Sequence, residues 1–242
     1  RPDEVVLHTA HWDHLGRCTP DATGDDICNG AVDNATGVAG LAALAEMHKA
    51  AGSTERSQVY LAVTLEESGL LGSEWYARHP VYPLAKTVGV VNMDALHPGG
   101  RARDYAMMGG DKSDLSAIFR RAIAQMGLRE SPEPGAERGI YYRSDHFSLA
   151  RRGVPGFHIG RGRDLFDGGT AAGDAAAKDY TDRHYHAPSD EFDESWDWSG
   201  IATDVELFYR LGRSLLTSDT WPNWREGDEF RAIRDQSRAQ EQ

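Results

Sequence analysis

Histidines and carboxylates recur in this chain where apolar runs give way to loops. His11 lies in "HWDHLG", directly after "EVVLHTA", and Asp33 in "GAVDNATG". Glu66 and Glu67 stand side by side in "TLEESG", and Asp94 closes the apolar run "VVNMDA". Singly, each has an ordinary reading: Asp33 could cap a helix, Asp94 could cap a turn, and a lone histidine is more often hydrogen-bonded structure than a ligand. Jointly, they are mutually repelling carboxylates at one end of successive strands, and a metal ion supplies the positive charge they need. Imidazole with carboxylate suits zinc, or less selectively manganese or cobalt, whereas calcium and magnesium favour oxygen ligands alone. Residues two apart on an extended chain share a face. Asp13 can therefore accept a hydrogen bond from the non-ligating ring nitrogen of His11. His14 reads as a loop residue.

The elements that must hold these groups alternate strand and helix. Residues 4–10, 58–65, 87–95 and 154–160 read as strands. Residues 36–52, 70–79, 113–127, 144–153 and 196–216 read as helices, with Ser113 and Ser144 as N-caps and Gly127 as a stop. Such alternation, with apolar and β-branched strands, implies a three-layer α/β/α domain on a mostly parallel central sheet. Sites in such sheets lie at the carboxyl ends of the strands. Residues 161–184 are rich in glycine, alanine and aspartate without a clear period, and read as a long loop lining the substrate pocket. The main domain is expected over 1–217, with 218–242 as a charged, solvated tail or frayed helix.

At 242 residues the chain fits one large domain. A net charge of -12 with scattered Lys and Arg argues against nucleic acid. No apolar stretch is long enough to span a bilayer. The chain opens on Arg1 and enters a strand at once, so it reads as a mature or excised segment without a signal peptide. Cys18 and Cys28 share one loop, too few for a four-ligand zinc module; a disulfide and two free thiols both remain open. Asp21, Asp25 and Asp26 read as a solvated acidic loop rather than a calcium site.

In order along the chain, "HWDHLG", "GAVDNATGVAGLAALAE", "LEESGLLGSEWYA", "VVNMDA", "SDHFSLARRGVP" and "YHAPSDE" resemble the co-catalytic zinc peptidases of the M28 family, the aminopeptidase and glutamate-carboxypeptidase-like group. The resemblance runs from about residue 4 to 215. It implies two zinc ions, one held by His11 and Asp94, the other by Glu67 and His186. Asp33 would bridge them, its bond to Asn34 in the cis form. Glu66 would be the general base, Tyr185 the donor to the oxyanion, and Asp13 the group that orients His11. The residues alone leave His184 and His186 on a surface loop; the family pattern lifts only His186 to a ligand.

The resemblance implies a dinuclear zinc exopeptidase acting on peptides, in first place an aminopeptidase. A carboxypeptidase-type relative is the alternative, drawing on Arg143, Arg161 or Arg163 for the terminal carboxylate. A non-catalytic receptor-like homologue stands against the complete ligand set plus Glu66, and a single-zinc aminoacyl cyclase ranks last. Family and paired cysteines point to a secreted or periplasmic location. The family's sheet usually begins before the strand at 4–10, so one sheet edge is expected to be incomplete. Ser144, Asp145 and His146 lie too close together for a serine triad, and Asp145 and His146 are expected to support the site rim. Asp190 either bonds the metal-site loop or caps the next segment.

Overall fold

The computed structural model describes residues 1–239. In chain order it contains β1 (Val5–His11), β2 (Gly16–Arg17), β3 (Ile27–Cys28), α1 (Thr36–Ala50), β4 (Ser57–Val63), α2 (Leu71–Arg78), β5 (Thr87–Asn92) and β6 (Asp104–Met107). There follow α3 (Leu115–Gln125), β7 (Arg129–Glu130), α4 (His146–Ala150), β8 (Gly156–Arg161), α5 (Gly169–Arg183), α6 (Ser199–Thr217) and α7 (Arg231–Ala239). Six strands form one sheet in the order β4-β1-β5-β8-β6-β7, and β2 pairs with β3 in a separate hairpin. The β4-β1, β1-β5, β5-β8 and β6-β7 pairs are parallel; only β8-β6 is antiparallel.

All seven residues of β1 are buried, as expected of a strand covered on both faces. Successive side chains enter opposite cores. Val6 and Ala10 pack with Leu41 and Leu44 of α1, Phe119 of α3 and Phe208 and Leu211 of α6. Val5 and Leu7 pack with Tyr76 of α2 and Leu149 of α4. The three layers expected from the sequence are present. In α6, Leu207, Phe208, Leu211 and Leu215 recur at helical spacing and bury one stripe.

Several local expectations are corrected. Residues 169–183 form the helix α5 rather than a loop. Its alanines favour helix, but only Gly173 is buried, so no apolar stripe betrays it. The strands β6 and β7 span only four and two residues, too short to show a period. Helix α4 starts at His146, and the Ser144 hydroxyl is committed elsewhere, so it is not the cap. Beyond residue 217 the described chain is docked rather than solvated. Trp224 is buried and its Nε1 donates to the Gly153 carbonyl at 2.8 Å. Arg234 is also buried, its guanidinium donating to the carbonyls of Thr87 and Val88 at 2.9 and 3.1 Å. Cys18 and Cys28 form a disulfide. Among the described residues no helix is long and apolar enough to cross a membrane.

Candidate metal centre

The carboxyl ends of the parallel strands converge on one crevice. His11 ends β1, Asp33 sits on the turn entering α1, Glu66 and Glu67 follow β4, and Asp94 follows β5. Tyr185 and His186 arrive from the turn after α5. Leu65 has φ 57, a left-handed conformation that ends the strand's alternation just before the two glutamates. Neighbouring glutamates are thereby freed from pointing to opposite faces. The Asp33–Asn34 peptide is cis, as the family pattern implied.

His11 anchors one half of the centre. Its Nδ1 lies 3.0 Å from the Asp13 backbone carbonyl, which can only accept, so Nδ1 carries the hydrogen. Its Nε2 faces Asp33 Oδ1 at 3.2 Å and Asp94 Oδ1 at 3.4 Å. Burial disfavours charge on this ring, yet its contacts with Asp33 and Asp94 overcome that and push its pKa up to about 12. Glu67 anchors the other half. His186 Nε2 lies 3.1 Å from Glu67 Oε2 and 3.5 Å from Asp33 Oδ2, and His14 Nδ1 lies 2.7 Å from Glu67 Oε1. Asp33 thus offers one oxygen to each half. Burial opposes ionisation of Asp33, but His11 and His186 outweigh it and hold the carboxyl well below the usual range.

Three of these placements depart from the sequence reading. The Asp13 carboxylate sits 3.8 Å from His11 Nδ1, so the backbone carbonyl takes the orienting role. The carboxylate instead accepts from the Glu66 amide at 3.2 Å. His14, read as a loop residue, joins Asp33 and Glu67 in a cluster able to hold an ion. Ser144, read as a cap, donates to Asp94 Oδ2 at 2.6 Å and accepts from Asn92 Nδ2 at 2.7 Å. The pair of histidines bracketing Asp13 in "HWDH" was a sequence signal for His14; nothing local signalled Ser144.

A supporting shell fixes the loops. Asp190 is buried, and its carboxylate accepts from the amides of Val32 and Asp33 at 3.0 and 3.1 Å. Of the two roles open to it, bonding the metal-site loop is the one observed. Asn34 Oδ1 accepts from the amides of Gly37 and Ala95 at 3.1 and 3.0 Å, tying the Asp33 loop to the Asp94 loop. Gly37 must be glycine, because a Cβ there would lie 2.1 Å from Asn34 Oδ1.

Burial, then the negative charge of Asp94, pushes the Glu66 carboxyl up to about 9. Burial and the nearby Asp33 push the Tyr185 hydroxyl up to about 12, so it keeps its proton at neutral pH. The Tyr185 ring stacks on His186 with centroids 3.8 Å apart. His184 is a bystander whose Nδ1 lies 2.8 Å from the Ser189 carbonyl. Asp145 and His146 are buried rather than at the rim. Burial pushes Asp145 up to about 7 and keeps His146 neutral.

A cavity of about 1270 Å³ opens over the centre, lined by Asp33, Glu66, Glu67, Asp94, Tyr185 and His186 among others. Arg161 reaches it but is occupied: it pairs with Asp204 at 2.8 Å and donates to the carbonyls of His97 and Gly100. The donor set fits metal ions. His11 Nε2, His186 Nε2 and Glu67 Oε1 are buried and make no hydrogen bond. These ring nitrogens and carboxylate oxygens face one another, so a bound cation can take the place of the protons that the carboxylates otherwise hold on the rings. Mixed imidazole and carboxylate is the chemistry of zinc.

A family model, peptidase family M28, matches residues 1–210. No curated protein matches the chain in sequence. Similar solved structures include the aminopeptidase from Aneurinibacillus sp. strain AM-1, at 17% identity and TM-score 0.61 over 90% of this chain and 45% of that one. The LapA aminopeptidase of Legionella pneumophila is similar at 18% identity and TM-score 0.65, over 90% and 52%. Porphyromonas gingivalis glutaminyl cyclase is similar at 17% identity and TM-score 0.57, over 89% and 72%. The chain spans about half the length of those two aminopeptidases, and likeness at this identity concerns the fold.

Proposed function

The chain belongs to peptidase family M28, and on that premise we propose that it is a two-zinc exopeptidase removing residues from the free amino ends of peptides. One observation carries the reading. Asp33 turns Oδ1 to His11 and Oδ2 to His186, so a single carboxylate stands between two ligand sets. His11 and Asp94 would hold one zinc, Glu67 and His186 the other, with Asp33 shared.

Bound there, zinc supplies a water acidified to pKa about 7 and a Lewis acid for the scissile carbonyl. Glu66 takes the proton of the attacking water and delivers it to the leaving amine. Positive charge bound among its neighbours would lower that raised pKa, in the direction that suits a proton carrier. Tyr185 keeps its hydroxyl proton and donates it in a hydrogen bond to the developing oxyanion. Asp13 holds the Glu66 amide, and so the turn that aims the proton carrier. The carboxylates around the crevice favour a substrate ammonium. Arg161, committed to Asp204, is not free for a terminal carboxylate, which leaves Arg143 and Arg163, also at the cavity, for the carboxypeptidase reading. The disulfide is in keeping with a secreted or periplasmic location.

The test is mass spectrometry of a peptide pool with free, N-acetylated or C-amidated ends, with and without a zinc chelator. Chelator-sensitive loss of single residues from free amino ends is expected. Trimming from the carboxyl end, or cleavage of N-acetylated peptides, would overturn the proposal.

A further inference from the structure

The segment "EFDESWDW" (191–198) forms an exposed aromatic cluster at the edge of the cavity. Phe192 is 62% exposed and Trp198 44%. The rings of Phe192, Trp196 and Trp198 stand 5.5–6.1 Å apart at inclinations of 37–63°, so their faces are not spent on parallel stacking. Phe192 and Trp196 line the same cavity as the metal-site carboxylates, as do Glu191, Asp193 and Glu194. Among the described residues none of these three carboxylates is ion-paired. Glu191 accepts from Asn29 at 2.9 Å and Asp193 from the Ser195 amide at 2.7 Å.

Exposed aromatic rings are costly to leave in water unless something covers them. Two features choose the occupant. The π-faces attract ammonium and guanidinium groups within about 6 Å of a ring centroid, and three unneutralised carboxylates alternate with the rings. Apolar side chains would satisfy the rings but strand the carboxylates; acidic ones would be repelled. The net charge of -12 adds long-range attraction for cations.

We propose that this wall is a substrate subsite for basic side chains, so that the peptides processed are rich in lysine or arginine. The proposal rests on the exopeptidase reading for the meaning of "substrate". The lysine or arginine stem lies along Phe192 and Trp196 while its charged end meets Glu194 and Asp193.

Binding and turnover separate the two claims. Pentapeptides with a free amino end, otherwise of leucine and alanine, would carry one lysine, or one glutamate in its place, moved along positions one to four. Calorimetric titration uses the zinc-loaded Glu66→Gln protein, so that binding is read without cleavage; kcat/KM comes from the unaltered protein. At one position or more, lysine should bind about tenfold tighter than alanine, and glutamate more weakly than either. Phe192→Ala and Glu194→Gln, the latter at an exposed position, should each remove most of that preference, and added salt should reduce it. Equal affinities for the lysine and alanine peptides, or a preference that survives both substitutions, would overturn the subsite. Cleavage of all peptides without preference would sink the subsite alone. Tight lysine-dependent binding with no cleavage by the unaltered protein would sink the exopeptidase reading and leave the subsite standing.

Discussion

Glu67 is held between two imidazoles, with His14 Nδ1 2.7 Å from Oε1 and His186 Nε2 3.1 Å from Oε2. One carboxylate oxygen therefore belongs to the ligand assigned by the family pattern, and the other to a histidine that pattern did not use. Gly30 makes room for it: a Cβ there would lie 2.5 Å from the His14 ring.

The first prediction concerns that pair. Groups that orient a metal-binding carboxylate typically control affinity by 10–100-fold. On the two-zinc proposal, His14→Ala should weaken the zinc assigned to Glu67 and His186 by about that factor and leave the other, as read by chelator competition. Unchanged affinity for both ions would mean that His14 only packs beside Glu67.

Ser144 provides the second. Its hydroxyl is the donor to Asp94 Oδ2, and Asn92 and Thr9 extend the chain of bonds through Thr9 Oγ1 to Asn92 Oδ1 at 2.6 Å. Ser144→Ala should weaken the zinc that the proposal assigns to His11 and Asp94 roughly 10–100-fold, with thermal stability changed little. Loss of the other ion instead would contradict the pairing of Asp94 with His11.

A third prediction is the direction of pH-dependent stability. His8 and His48 are buried against each other with ring centroids 5.3 Å apart, and their nitrogens make no hydrogen bond. Burial, aided by His48, lowers the pKa of His8 to about 3; burial, aided by Arg213, lowers that of His48 to about 4. The unfolded chain takes up these protons near 6.5 and the folded chain does not. Stability is therefore complete above that pH and falls as acid is added. For His8 alone the loss is about 2 kcal/mol at about pH 5. Urea unfolding of His8→Phe, compared with the parent between pH 5 and 8, should show a shallower acid slope. An identical slope would show that His8 is protonated in the fold.

The fourth concerns the chain beyond α6. Trp224 packs on Phe230 with centroids 5.0 Å apart and is hydrogen-bonded to Gly153. Trp224→Ala should cost roughly 3–5 kcal/mol in denaturant unfolding. A cost below about 1 kcal/mol, typical of surface sites, would mean that this segment does not dock in solution.

The layers, the long strands and the convergence of most candidate residues on one crevice were legible because they rest on local pattern: apolar β-branched runs, and polar residues where those runs stop. What escaped was decided by partners distant in sequence. Ser144 finds Asp94 across 50 residues. The Asp13 carboxylate went to the Glu66 amide because the turn after β4 brought that amide within reach. Helix α5 was missed because it covers the site without an apolar stripe. The charged segment after α6 hid Trp224, Phe230 and Arg234, each buried by a partner far away in the chain.

The central claim is that adjacent glutamates divide the work, Glu67 binding metal and Glu66 carrying the proton. The most direct measurement is zinc content and peptide turnover of Glu66→Gln, made side by side on one preparation. The account predicts two zinc ions retained and turnover reduced by at least about 10²-fold, the lower end of what a positioned acid–base group contributes. Loss of a zinc ion in Glu66→Gln, or turnover close to that of the parent, would contradict it.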